Sequence, residues 1–90
     1  MYGIFKSETA NVAGSGTVKA YKARHTMFAW GTFGGATVKV QLSPNGVDWF
    51  DDANLTMTTA GFNTFEVAPD TRMRGVISGG TAANLNLTVV

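Results

Sequence analysis

From residue 36 to residue 43 the chain reads ATVKVQLS, and apolar and polar side chains alternate at every step. Ala36, Val38, Val40 and Leu42 fall on one side; Thr37, Lys39, Gln41 and Ser43 fall on the other. A period of two marks a strand with one buried and one wet face, whereas a helix would scatter these residues around its circumference. The flanks tighten the constraint. Gly34 and Gly35 precede the strand and permit a corner that other residues resist. Pro44, Asn45 and Gly46 follow it as turn chemistry, with proline fixing φ and Asn-Gly tolerating positive φ. A return strand over residues 47–51, with Trp49 inward, completes the predicted hairpin.

The same reasoning extends in both directions. Residues 25–33, HTMFAWGTF, are apolar on both faces, which predicts a central strand covered by the opposing sheet on one side. The other side, bearing Phe28 and Trp30, calls for a partner or the N-terminal segment. Residues 17–24, TVKAYKAR, alternate imperfectly and carry Lys19, Lys22 and Arg24, as an edge strand that deters unwanted pairing does. Further strands are predicted at residues 54–59, 62–68, 71–78 and 84–90. No window sustains apolar spacing of three and four over about ten residues, so no helix is expected. The fold class is all-β: a small antiparallel β-sandwich or barrel of about seven to eight short strands. Its predicted core is Val38, Val40, Leu42, Trp49, Phe65, Val67, Met73, Ile77, Leu85 and Leu87. Residues 17–90 make the single domain and residues 1–16 an N-terminal arm, in which Gly14-Ser15-Gly16 reads as a linker. Tyr2, Ile4 and Phe5 in that arm require burial, on their own domain or on a neighbour.

Composition narrows the function. The chain has 90 residues, no cysteine and one histidine, so neither a disulfide nor a metal-ligand set is expected to support a core this small. Oligomerisation is the remaining common support. Charged residues make up 14% of the chain, against about 25% in an ordinary domain. Charge depletion is a property of interface centres. Arg72 and Arg74 share the outward face of their strand, about 7 Å apart, and arginine suits partner docking. The net charge of +1 gives no electrostatic case for nucleic acid or for a membrane surface. No run reaches the roughly 18 apolar residues of a membrane span. The N-terminal residues lack the apolar region of a signal peptide, so the segment is expected to be kept.

Catalytic chemistry has no foothold. His25 stands apart from any nucleophile and orienting group. The nucleophile-elbow, zinc-protease and phosphate-loop motifs are all missing. Asp48, Asp51 and Asp52 cluster near a turn, but their spacing does not match a calcium loop, and a solvated turn is the expectation. The sequence therefore predicts a non-enzymatic protein with no cofactor.

Residues 30–50, WGTFGGATVKVQLSPNGVDWF, resemble a pattern found in small β-rich structural proteins of tailed bacteriophages. There an aromatic strand runs into Gly-Gly-Ala-Thr-Val, a Ser-Pro-(Asn/Asp)-Gly turn and a Trp. Residues 62–68, 72–78 and 84–90 fit the same scheme, so the resemblance spans residues 28–90 and leaves the arm out. It implies a virion protein made in the host cytoplasm. The expected role is capsid decoration or cement, present in many copies or as a homo-oligomer, with the major capsid protein or other virion proteins as partners. Contacts would then fall to Tyr2, Ile4, Phe5, Phe28, Trp30, Arg72 and Arg74. Fibre, tail and head–tail connector roles belong to the same class. A different class is a carbohydrate-binding module, in which Trp30, Trp49 or Tyr21 would stack on sugar rings.

Overall fold

A computed structural model describes residues 2–8, 12–81 and 83–90. Eight strands follow one another: β1 Tyr2–Glu8, β2 Val12–Lys19, β3 Arg24–Thr32, β4 Thr37–Ser43, β5 Thr56–Met57, β6 Gly61–Glu66, β7 Arg72–Ser78 and β8 Ala83–Val89. They form two four-stranded sheets, in the orders β1-β8-β3-β6 (sheet A) and β2-β7-β4-β5 (sheet B). Every pairing is antiparallel. The protein is thus all-β and its two sheets stack as a sandwich, not a closed barrel.

One core fills the space between the sheets. Met27 and Ala29 from β3, Val38 and Val40 from β4, Phe65 from β6, Met73 and Ile77 from β7, and Leu85, Leu87 and Val89 from β8 all turn inward. The alternation in β4 holds from Ala36 to Val40, with Val38 and Val40 fully buried. It fails at the strand's end, where Ser43, expected on the wet face, is fully buried beneath the turn from whose N–H groups it accepts. Leu42 and Val67 are only partly buried at the margin.

The N-terminal segment is not a separate arm. β1 pairs with β8 and β2 pairs with β7, so each sheet takes an edge strand from the first twenty residues. Residues 1 and 9–11 of the expected arm lie outside the described residues. Ile4 and Phe5 are adjacent yet both buried, because the β1–β8 register shifts between Gly3 and Phe5. Such a bulge re-aims a side chain that strict alternation would turn outward. Opposite them sits Gly75 of β7. A Cβ at that position would lie 2.7 Å from both Ile4 Cγ2 and Phe5 Cε2, so the glycine leaves the notch into which β1 packs.

The predicted return strand is reduced to a single bridge between Leu42 and Phe50. Side chains take the hydrogen bonds that a ladder would have used. Ser43 Oγ accepts from the backbone N–H groups of Asn45 (3.2 Å) and Gly46 (2.7 Å). Asn45 Oδ1 accepts from those of Val47 (2.8 Å) and Asp48 (2.9 Å). With the chain held as a loop, Trp49 is half-buried and stays out of the core, contrary to the alternation. The strand expected at residues 54–59 shrinks to β5, preceded by a 3-10 turn at Ala53–Leu55. Asp52 caps that turn by accepting from the Asn54 N–H at 2.9 Å.

Candidate functional site

The outer face of sheet A is built from alternate residues of β3, β6 and β8. In β3, His25, Met27 and Ala29 are buried, so Thr26, Phe28 and Trp30 face outward. The register sets Phe28 beside Phe62 of β6 and Thr88 of β8, and Trp30 beside Asn86. The Phe28 and Phe62 rings meet edge to face at 5.5 Å. Trp30 is 48% exposed and Phe62 66% exposed. Around them stand hydroxyls and amides: Thr26 and Thr64 share a hydrogen bond of 2.9 Å, and Asn86 Nδ2 donates to the Asn84 carbonyl at 2.8 Å. The charged pair Arg24–Glu66, 3.2 Å apart, stands at one end of this face, off the aromatic stripe. Isolated exposed apolar residues are ordinary, but adjoining aromatic rings on one flat face make a patch with binding potential.

A bulge fixes where the stripe ends. The β3–β8 register shifts between Trp30 and Thr32, and Gly31 adopts φ of +123°. A Cβ at Gly31 would stand 2.1 Å from the Asn84 carbonyl oxygen, so the close approach of the two strands requires glycine.

Sheet B presents a different surface. Arg74 lies across the Trp49 ring, 4.3 Å from its centroid, and its Nε donates to Gln41 Oε1 at 2.7 Å. Gln41 Nε2 donates to Asp51 Oδ1 at 2.7 Å, and Lys39 Nζ donates to Asp51 Oδ2 at 3.0 Å. The chain Trp49–Arg74–Gln41–Asp51–Lys39 ties β4, β7 and the loop after β4 into one polar network. The hydrogen bond from Gln41, followed by that from Lys39, holds the Asp51 carboxyl below its ordinary value. A carboxylate with a lowered folded-state pKa stabilises the fold above its unfolded-state pKa of about 3.9, and that contribution is lost as pH falls through the folded-state value. Asp51→Asn should therefore flatten the acid limb of the stability curve below about pH 4. Thermal midpoints measured from pH 2 to pH 6 check this; an unchanged acid limb would show that Asp51 gains nothing from the network.

The residues expected to contact a partner separate into three groups. Phe28 and Trp30 lie together on the outer face of sheet A, joined by Phe62. Arg72 and Arg74 lie on the outer face of sheet B, where Arg74 is engaged as above and Arg72 Nη1 reaches the Pro44 carbonyl at 3.5 Å. Ile4 and Phe5 are core residues, 9% and 5% exposed, and offer no surface to a partner. Tyr2 is half-buried and its hydroxyl donates to the Lys19 carbonyl at 2.7 Å, bridging the edge strands of the two sheets. Phe62 is the member of the stripe that sequence reading passed over. Its signal was the pattern Phe62, Thr64, Glu66 against Asn63 and Phe65, which puts Phe62 on the wet side.

The other candidates are dispersed. Trp30 is on sheet A, Trp49 lies under Arg74, and Tyr21 packs against His25 at 5.0 Å, so the three rings form no common platform. His25 is fully buried, stacked near Phe65, with Nδ1 3.2 Å from the Val90 carbonyl oxygen. That oxygen can only accept, so Nδ1 donates to it, and Nε2 is buried without a hydrogen-bond partner. Asp48, Asp51 and Asp52 bond separately to Asn45, to Lys39 and Gln41, and to the Asn54 N–H. Among the described residues no group of three or more His, Asp or Glu side chains gathers, and none of the helices is long and apolar enough to cross a membrane. Comparisons with protein families, characterised proteins and solved structures gave no match.

Proposed function

We propose that this chain is a non-enzymatic structural protein of a virion, a decoration or cement protein that binds major capsid subunits through the outer face of sheet A. The observation that carries the reading is the stripe of Phe28, Trp30 and Phe62, exposed among threonine and asparagine side chains. Aromatic anchors on a face with few charges match interface centres, where aromatic residues are enriched and charge is depleted. The sequence pattern at residues 30–50 supplies the virion class. A modest contact per copy suffices, because many copies on one lattice attach with a combined strength well above that of each.

The test uses empty capsids. The double variant Trp30→Ala, Phe62→Ser should bind them at least about tenfold more weakly, as loss of interface aromatics does, with an unchanged far-UV CD spectrum. Capsids stripped of the protein should rupture at lower temperature. Unchanged capsid binding by the double variant removes sheet A from the interface. Binding to glycans that depends on Trp30, without binding to capsids, replaces the reading with a carbohydrate-binding one.

A further inference from the structure

The four edges of the sandwich are unequal. β5 has only two residues. β1 pairs with β8 through two register shifts, and β2 pairs with β7 through two more. Short or irregular edges are poor templates for another strand. β6 differs: it pairs with β3 at six consecutive positions, Arg24↔Glu66 to Ala29↔Gly61, without a shift. Its sequence, GFNTFE, contains neither lysine nor proline, and its single charge, Glu66, is matched by Arg24 at 3.2 Å. It has no lysine, proline or bulge to blunt the edge; among the described residues what lies against it is the 3-10 turn Ala53–Leu55, through Asn54.

The direction of its backbone groups follows from the hydrogen bonds. Val67 N–H donates to the Ala23 carbonyl at 2.9 Å, which makes that pair a hydrogen-bonded one. In an antiparallel ladder such pairs alternate with non-bonded ones. Phe65 and Asn63 therefore bond to β3, while the N–H and C=O groups of Phe62, Thr64 and Glu66 point away from the sheet. Among the described residues one group reaches them, the Asn54 amide, at 3.5 Å from the Thr64 carbonyl.

We infer that β6 is a homodimerisation edge, at which a second copy of this chain adds its own β6 antiparallel to form a continuous eight-stranded sheet. Self-complementarity is what selects a second copy. The register that pairs all three outward residues sets Phe62 opposite the partner's Glu66, Thr64 opposite the partner's Thr64, and Glu66 opposite the partner's Phe62. The two-fold axis passes through the Thr64 pair, and threonine against threonine is a favourable cross-strand pair. The two Glu66 side chains lie four positions apart, about 14 Å, beyond the screening length at physiological salt. An isologous pair of this kind closes on itself and uses up the edge in both copies. It also carries both aromatic stripes onto one face of the enlarged sheet. An incoming strand displaces the long Asn54 contact. A six-residue edge buries less than the roughly 1,200 Å² of a standard interface, so the dimer is weak in dilute solution and is best trapped covalently.

The inference needs no shell, so its test is independent of the virion reading. The chain has no cysteine, which makes single-cysteine trapping free of background. A hydrogen-bonded antiparallel pair has Cα atoms about 5.5 Å apart, within disulfide range. Thr64→Cys should give mostly disulfide-linked dimer under mild oxidation, while Thr59→Cys, on the exposed turn before β6, should stay largely monomeric. Thr64→Lys places like charges on the axis and should abolish the concentration-dependent dimer seen by sedimentation or NMR diffusion, with far-UV CD unchanged. Equal crosslinking of the two cysteine variants, absence of crosslinking at Cys-substituted Thr64, or a wild-type chain that remains monomeric at NMR concentrations overturns the inference.

Discussion

Val40→Asp is expected to leave no folded protein. Val40 is fully buried in β4, paired with Gly75 of β7 at the centre of sheet B. A chain of 90 residues has a stability of about 5–13 kcal/mol at typical per-residue values. Loss of the buried valine costs about 1.5–3 kcal/mol. A carboxyl group there has no partner, and burying it even in its neutral form costs roughly 2–7 kcal/mol. The two costs together approach or exceed the whole stability. Far-UV CD and solubility decide the matter, with Val47→Asp as control, since Val47 is 78% exposed and its substitution should change nothing. A soluble Val40→Asp protein with the native spectrum would show that β4 does not face the core as described.

Phe5→Ala should lower stability by about 3–5 kcal/mol, the usual cost of truncating a buried phenylalanine. The ring is 5% exposed and seated in the notch above Gly75. Little can collapse into the space it leaves, because the opposite wall is already bare backbone. Deletion of residues 1–16 goes further and strips an edge strand from sheet A and most of one from sheet B. The side chains of Leu85 and Leu87, which pair with β1, would lose one neighbour strand entirely. The deletion is therefore expected to unfold the domain, which reverses the expectation that residues 17–90 make the domain and residues 1–16 an arm outside it. Urea denaturation of Phe5→Ala and CD of the deletion check both; native stability in either would show that β1 docks without contributing to the core.

The contrast between β4 and β1 explains how much could be read in advance. β4 declares itself because it is central, half-wetted and regular, so a period of two maps directly onto burial. β1 has three apolar residues in a row of small and polar ones, and its burial depends on a bulge and on a glycine seventy residues away. No local pattern carries that information. Trp49 misled for a related reason: Ser43 and Asn45 satisfy the loop's N–H groups, and a ladder that would have turned Trp49 inward never forms. The surface was half legible. Phe28 and Trp30 stood out as apolar residues on a second face of a strand whose first face was already apolar. Phe62 joined them only once the register between β3 and β6 was known. Ile4 and Phe5 were correctly read as needing burial, and the structure provides it within the chain itself.

The order of strands in sheet A also has a consequence for how the protein comes to be made. Its second position is held by β8, the last of the eight strands, which bridges β1 and β3. In sheet B the equivalent position belongs to β7. A ribosome that has released β1 to β6 has thus supplied the margins of both layers and neither bridging strand. The nascent chain can then assemble only the β3–β6 and β4–β5 pairs, and every other pairing waits for β7 and β8. Contacts between distant residues make folding slow. They also leave incomplete chains with open strands during synthesis, when neighbouring chains are close and mispairing competes with completion.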